Sequence, residues 1–184
     1  MHYFYLFKIK KSFYILNESV VYFSIGSNLG DRYYNISKCI SLIEKKIGNV
    51  ISISSLYKNL AQGFVGDYFY NCCIKVKSYN SPLKILNFIS SIESEMGREN
   101  RNSEEYQSRI IDIDIILFDD LIFEDQNLKI PHPRFHERNF VLLPLLEINN
   151  ELIDPKSKVK IKSYLMKIKS DDSIEKISFN YLKA

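Results

Sequence analysis

"RIIDIDIILF", residues 109–118, sets two aspartates two positions apart inside a run of isoleucine, where a chain usually hides surface from water. Side chains alternate faces along a strand, so Asp112 and Asp114 point the same way, about 7 Å apart. Ile111, Ile113, Ile115 and Leu117 take the opposite face and are expected in the core. A solvated outer face is common in antiparallel sheets. Here Ile110 and Ile116 flank the aspartates on their own face, so that face is not freely wet. Two carboxylates held together repel, and one takes up a proton unless a cation sits between them.

Working outward, the strand is preceded by a polar loop, "RENRNSEEYQSR" (98–109), holding Arg98, Arg101 and Arg109. It is followed by a turn at Asp119-Asp120 and a small hairpin-like excursion, "LIFEDQNLKI" (121–130). Upstream, "VVYFSI" (20–25) is an apolar run closed by Gly26 and reads as a strand. Ile36, Ile40, Ile43 and Ile47 recur at helical spacing, with Asp31 near the start and Gly48 past the end. "VISISSLYK" (50–58) alternates as a half-buried strand does, and "YFYNCCIKVKSY" (68–79) is another strand-like run. Between them "NLAQGFVGD" (59–67) reads as a mobile loop. Ser81-Pro82 opens a helix over 83–96, with Leu86, Ile89 and Glu93 on successive turns and Gly97 after it. "HERNFVLLPLLEI" (136–148) looks helical but is interrupted by Pro144. A last helix is expected over 161–168. The order βαββαβ predicts an α+β, ferredoxin-like core, an antiparallel sheet with helices packed on it and C-terminal additions.

The 184 residues are a single-domain length. Residues 1–19, "MHYFYLFKIKKSFYILNES", lack the layout of a secretory signal and read either as a loosely packed N-terminal extension or as the product of a start codon placed too far upstream, and 20–184 are expected to form one domain. Hydrophobic content of 46% with 26% charged residues indicates a globular chain. A net charge of +3 is too small to argue for nucleic acid or a membrane, and no stretch has the length of a membrane span. Cys39, Cys72 and Cys73 lack the spacing of a zinc site and read as reduced, buried thiols. The expectation is a cytoplasmic monomer with no nucleic-acid or membrane partner.

A carboxylate pair on a strand suits Mg2+, which takes one or two carboxylates and keeps positions for phosphate. Arginine forks suit phosphate oxygens, which strengthens that reading over a merely solvated loop. "IPHPRFHERNF" (130–140) stiffens the backbone with two prolines and presents His132, Arg134 and Arg138 as fixed donors, while His136 reads as exposed. "IGSNLGD" (25–31) lacks the spacing and the lysine of a Walker-type phosphate loop, and reads as a tight strand-to-helix turn. Phe69 and Asn71 in "YFYN" carry little weight alone.

Taken together, "IGSNLGD", "SSLYKN", "FYN", "IESEMGR", "RIIDIDIILF" and "IPHPRFHERNFVLLPL", in that order from about Val21 to Ile153, resemble the 6-hydroxymethyl-7,8-dihydropterin pyrophosphokinase family. The resemblance implies transfer of a diphosphate from ATP, the co-substrate, to the pterin hydroxymethyl group in folate biosynthesis, with release of AMP. It implies that Asp112 and Asp114 hold two Mg2+ ions, and that Arg98 and Arg109 engage the phosphates. Asn71, with Asn59 beside it, would read the pterin edge, and Phe69 and Phe140 would sandwich the ring. Glu93, Ile115, His132 and Arg138 would line the ATP site. The chain departs from the family at Glu105, Tyr106, Gln107 and Ser108, where Arg-Trp-Gly-Pro is usual, and the loop is one residue longer. Leu60 replaces the proline usual after Asn59's position. These departures leave the metal seat intact and bear on closure of the loops near 59–68 and 99–108, hence on rate.

Two other readings stand beside this one. A ferredoxin-like sheet also serves RNA-binding modules, but their aromatic strand signature is absent and "DID" has no use there. A catalytically weakened homologue acting as a binding module is suggested by Glu105.

Overall fold

The computed structural model describes residues 17–60, 66–98, 108–168 and 174–181. Residues 1–16 of the expected extension, and Arg101, Glu105, Tyr106 and Gln107, lie outside the described residues.

Strand β1 (Ser19–Ser27) is the apolar run seen in the sequence and lies inside the sheet between two partners. Helix α1 (Arg32–Lys46) starts where the Asp31 side chain accepts from the Tyr34 backbone N–H, and it buries Ile36, Cys39, Ile40 and Ile43. The stretch read as one strand over 50–58 breaks at Ser54-Ser55 into β2 (Asn49–Ile53) and β3 (Leu56–Asn59). Both halves pair with the same partner, β4 (Phe69–Ser78). Ser54 keeps the ladder continuous across the break. Its N–H donates to the Cys73 carbonyl at 3.0 Å, and its Oγ accepts from the Cys73 N–H at 3.0 Å. Helix α2 (Pro82–Glu95) is capped by Ser81, and β5 (Asp112–Phe118) follows.

The strand order is β5-β1-β4-β3, with β2 also on β4 and every pair antiparallel. Counting β2 and β3 as one interrupted strand, this is the ferredoxin-like arrangement expected from the sequence. A short hairpin, β6 (Phe123–Glu124) and β7 (Lys129–Ile130), stands apart, and β8 (Glu175–Ile177) extends the sheet beyond β3.

Each face of the sheet has its own core. Helices α1 and α2 cover one, over Phe23, Ile25, Ile74, Ile113 and Ile115. The C-terminal additions cover half of the other: α3 (Asn139–Ile148) and the single turn α4 (Lys162–Leu165) pack on Tyr22, Cys73, Ile116 and Leu117. Leu117 therefore does not share a face with Ile113 and Ile115, contrary to the alternation read from the sequence. The pairing of β1 with β5 runs Tyr22↔Leu117 and then Phe23↔Ile115, so Ile116 is an extra residue. Such a bulge flips the side chains beyond it. It turns Leu117 onto the second core and Phe118 back to the first.

Two other expectations change. Helix α3 runs on through Pro144, which is buried, although it cannot donate to the Phe140 carbonyl. The helix expected over 161–168 shrinks to one turn. No helix among the described residues is long and apolar enough to cross a membrane.

Gly48 matters for space. A Cβ there would lie 2.2 Å from the Lys77 carbonyl oxygen, a backbone atom that is fixed in the sheet. Gly48→Ala is expected to cost about 3 kcal/mol in urea unfolding, the upper range for overpacking, and a cost below about 0.5 kcal/mol would refute the close approach.

Asp154 organises the additions. Its carboxylate accepts from the Lys156 N–H at 2.8 Å, Ser157 Oγ at 2.8 Å and the Tyr164 hydroxyl at 2.6 Å. Burial alone would raise its pKa, but these hydrogen bonds, that of Tyr164 first, outweigh it and hold the group below its usual value. A depressed carboxylate stabilises the fold above its unfolded pKa and loses that contribution as pH falls through the folded one. Asp154→Ala is expected to cost about 1–3 kcal/mol at pH 7, with the difference from the parent chain shrinking in acid below about pH 4.

Candidate active site

One row of residues crosses the second face beside the α3 core; Gly26, Asn71 and Tyr57 in it are buried and Asp112 is half-buried. Asp112 on β5 is opposite Gly26 on β1, Gly26 is opposite Asn71 on β4, and Asn71 is opposite Tyr57 on β3. Directly opposed residues share a face, and two strand spacings separate Asp112 from Asn71, about 9–10 Å. The only residue between them has no side chain. The next row holds Asp114, Ser24 and Cys73.

Asp112 sits in a cage of cations. Arg98 Nη1 donates to its Oδ1 at 2.7 Å, and Arg109 Nη1 lies 3.1 Å from its Oδ2. Arg98 also pairs with the buried carboxylate of Glu93, which accepts from the Ile113 N–H at 3.0 Å. The α2 C-terminus delivers Arg98 to this point. Gly97 takes φ +88, and the Arg98 N–H returns to the Glu93 carbonyl at 2.9 Å, so the chain doubles back over the helix end. Glu93 thus ties α2, β5 and Arg98 together from inside.

Asp114 is held differently. Among the described residues its nearest cation is Arg138 at 3.7 Å, and burial, then the Asp112 charge, push its carboxyl up to about 7. The side chain keeps 34% of its surface open to the cleft. His132 Nε2 lies 3.9 Å from Asp114, but burial and then the Arg138 charge push the ring down to about 4. The ring is therefore neutral near pH 7, and the approach is not an ion pair. His132 Nδ1 accepts from the Arg134 N–H at 3.2 Å, which puts the ring proton on Nε2. Among the described residues, the guanidiniums of Arg98, Arg109 and Arg138 face the carboxylates of Glu93, Asp112 and Asp114.

A cleft of about 470 Å³ opens beside these groups, lined by Arg98, Arg109, Asp114, Ile115, His132 and Arg138. It follows β5, whose outer edge carries no partner strand among the described residues. The Ile113 N–H points away from β1, to Glu93, and by alternation the main chain of Ile115 faces the same open edge.

At the other end of the row two amides form a chain. Asn59 Nδ2 donates to the Leu60 carbonyl at 2.8 Å, and Asn71 Nδ2 donates to Asn59 Oδ1 at 2.6 Å. This order leaves Asn71 Oδ1 as the atom nearest the missing Gly26 side chain. Phe69, two residues before Asn71, lines the same face and is half-buried, as is Phe140 in the first turn of α3. The Arg138 guanidinium lies 5.7 Å from the Phe140 ring centroid. A flat, polar heterocycle fits such a combination of rings and an amide.

The family description 7,8-dihydro-6-hydroxymethylpterin-pyrophosphokinase (HPPK) matches residues 22–150, about 70% of the chain. The chain belongs to the HPPK family. It is 42% identical over 140 residues to the folic acid synthesis protein FOL1 of Dictyostelium discoideum, covering 74% of this chain and 20% of that protein. It is 36% identical over 147 residues to the 2-amino-4-hydroxy-6-hydroxymethyldihydropteridine pyrophosphokinase of Aquifex aeolicus, covering 79% of this chain and 90% of that one. A crystal structure of Plasmodium falciparum HPPK-DHPS superposes with a TM-score of 0.70 over 87% of this chain and 49% of that one, at 18% identity. At that identity the likeness concerns the fold. The chain spans about a fifth of the length of the eukaryotic folic acid synthesis proteins it matches.

Of the site residues expected from the HPPK resemblance, Arg98, Arg109, Asp112, Asp114, Ile115, His132 and Arg138 line the cleft. Asn59, Phe69 and Asn71 lie on β3 and β4 beside Gly26, Phe140 stands in the first turn of α3, and Glu93 is buried behind Arg98. Arg134 is exposed and pairs with Glu137 at 3.8 Å. Two residues escaped the sequence reading. Gly26 registers only as the end of a strand, because its contribution is an absent side chain. Asn28 registers only as part of a turn, because its partners are some 80 residues away.

Proposed function

We propose that this chain transfers a diphosphate from ATP to the hydroxymethyl group of 6-hydroxymethyl-7,8-dihydropterin, releasing AMP, as a step of folate biosynthesis. Membership of the HPPK family supports this reading, and the observation that carries it is the Asp112–Gly26–Asn71 row. It sets the Asp112 carboxylate and the Asn71 amide two strands apart, with only the backbone of Gly26 between them.

The pterin would lie over Gly26, its edge read by the Asn71 amide and its faces covered by Phe69 and Phe140. Its hydroxymethyl arm would then reach toward Asp112 and Asp114. ATP would occupy the cleft along β5, held by the main chain of Ile115 and by His132, Arg138 and the Glu93 corner. The hydroxyl oxygen forms a bond to the β-phosphorus while the bond from that phosphorus to the α-phosphate oxygen breaks. AMP departs and the hydroxyl proton is lost to solvent. Arg98 and Arg109 lie on Asp112 before substrates bind, and phosphate oxygens would compete for their forks. Neutral His132 donates from Nε2 to a phosphate oxygen without adding charge.

Asp112 and Asp114 fit Mg2+. Both are hard carboxylates on one face lining the cleft, and the forks of Arg98 and Arg109 would have to leave Asp112 for an ion to take its oxygens. Two ions held by Asp112 and Asp114 would offset phosphate charge and lower the pKa of the attacking alcohol. The chain is further proposed to act as a cytoplasmic monomer, with residues 20–184 as one domain and no nucleic-acid or membrane partner.

Purified chain given ATP, Mg2+ and the pterin alcohol is expected to release AMP and the pterin diphosphate in equal amounts. Absence of both products from a folded sample sinks the reading.

A further inference from the structure

The turn "SNLGD" (27–31) makes none of the substrate contacts above, yet Asn28 within it is fully buried. Its side chain does not turn inward to cap its own loop. Asn28 Oδ1 accepts from the Arg109 N–H at 2.6 Å, Asn28 Nδ2 donates to Ser108 Oγ at 3.0 Å, and the Asn28 N–H donates to the Arg109 carbonyl at 3.1 Å. Both main-chain groups of Arg109 are therefore held by one residue. The turn that carries Asn28 is itself fixed. Asn35 Nδ2 donates to Ser27 Oγ at 3.2 Å and to the Leu29 carbonyl at 2.9 Å, and Asp31 caps α1 behind it.

We infer that Asn28 is a positioning residue for Arg109, clamping its backbone so that the guanidinium stands over Asp112 and the phosphate end of the cleft. This rests on the pyrophosphokinase reading, in which Arg109 contacts the transferred phosphates. An arginine has four rotatable side-chain bonds, and a drifting backbone would spread its fork over several ångströms. Misplacement of about 1 Å is enough to cost a large factor in rate. The clamp lies beyond the last paired position of β1 and β5, Gly26↔Asp112, two residues on along β1 and three residues back along β5, where a strand pair otherwise frays. Asn meets the requirement because it donates and accepts from one short side chain.

The test is a double-mutant cycle on turnover, with unfolding measured in parallel. Asn28→Ala in the parent chain is expected to lower kcat about tenfold or more, with KM for the pterin changed less than about twofold. In an Arg109→Ala background the same change is expected to cost less than about twofold, because the group it positions is gone. The loss of stability should be the same in both backgrounds. Should Asn28→Ala not fold, Ser108→Ala removes one bond of the clamp and is expected to show the same background dependence at smaller size. Asn28→Asp, whose carboxylate still accepts from the Arg109 N–H and the Ser108 hydroxyl, is expected to recover part of the turnover. Equal losses in both backgrounds, or no loss in the parent chain, overturn the inference and leave Asn28 a stability residue. Unchanged turnover in Arg109→Ala alone overturns the phosphate role of Arg109 and the clamp's purpose with it.

Discussion

Asp112→Asn and Asp114→Asn are each expected to cut turnover about a thousandfold or more, since each removes several kcal/mol of charge stabilisation from a phosphoryl transfer. Their effects on metal-free stability should differ in sign. Asp112 is the shared partner of Arg98 and Arg109, at 2.7 and 3.1 Å, and only 29% of its side chain is exposed. Removing its charge leaves two half-buried guanidiniums facing each other, a cost of about 1–2 kcal/mol, between the values for exposed and fully buried pairs. Among the described residues Asp114 has no cation closer than 3.7 Å, and its carboxyl is raised from 3.8 to about 7. The folded chain therefore holds a proton that the unfolded chain has released, and stability falls as pH rises across that window. Asn carries no such proton, so Asp114→Asn should match or exceed the parent chain in melting temperature at pH 8 and lack that slope. Calorimetry in chelator separates the two. Loss of stability in Asp114→Asn equal to that in Asp112→Asn would show that both carboxylates are structural pairs and that the metal seat is misplaced.

This contrast is only half legible in the sequence. The period of two in "RIIDIDIILF" sets both aspartates on one face, and their mutual repulsion follows from spacing alone. Their inequivalence does not, because it depends on Gly97 folding the α2 end back so that Arg98 reaches both Glu93 and Asp112. The bulge at Ile116 is invisible for a similar reason. A run of apolar residues reads equally well in either register until the partner strand and the second core decide which residue is extra. Strand 50–58 shows the reverse: its pattern is continuous, and two serines bridge a break that pairing with β4 absorbs. The roles of Asn59, Phe69, Asn71 and Phe140 come from family resemblance, since an aromatic or an amide on a strand carries no chemical signal by itself. Gly48 reads as a helix stop and turns out to be a close approach to β4. In each case the missing information is an interaction across many residues of sequence, which local pattern cannot encode.

The second large effect is expected at Gly26. A Cβ built there lies 2.6 Å from Asn71 Oδ1 and 3.6 Å from Phe69 Cδ1. The first distance is too short for a carbon and an oxygen to share, so Gly26→Ala must move the Asn71 amide. That amide is not free to yield, because its Nδ2 is committed to Asn59 Oδ1 at 2.6 Å and Asn59 is committed in turn to the Leu60 carbonyl. Moving Asn71 therefore disrupts the whole amide chain, while the methyl itself fills the floor between Asn71 and Asp112. Gly26→Ala is expected to lower kcat/KM for the pterin about a hundredfold, the scale on which a buried polar group left unpaired and a steric block act together. The nucleotide should not notice, since the cleft along β5 is lined by other residues. Binding of a non-hydrolysable ATP analogue with Mg2+, followed by calorimetry, should stay within about twofold of the parent chain. Asn71→Ala gives the control: it removes the clash along with the amide, so adding Gly26→Ala to it should cost far less than in the parent chain. Equal loss of ATP and pterin affinity in Gly26→Ala would mean that the strand as a whole has shifted, and that the glycine serves packing and not the slot.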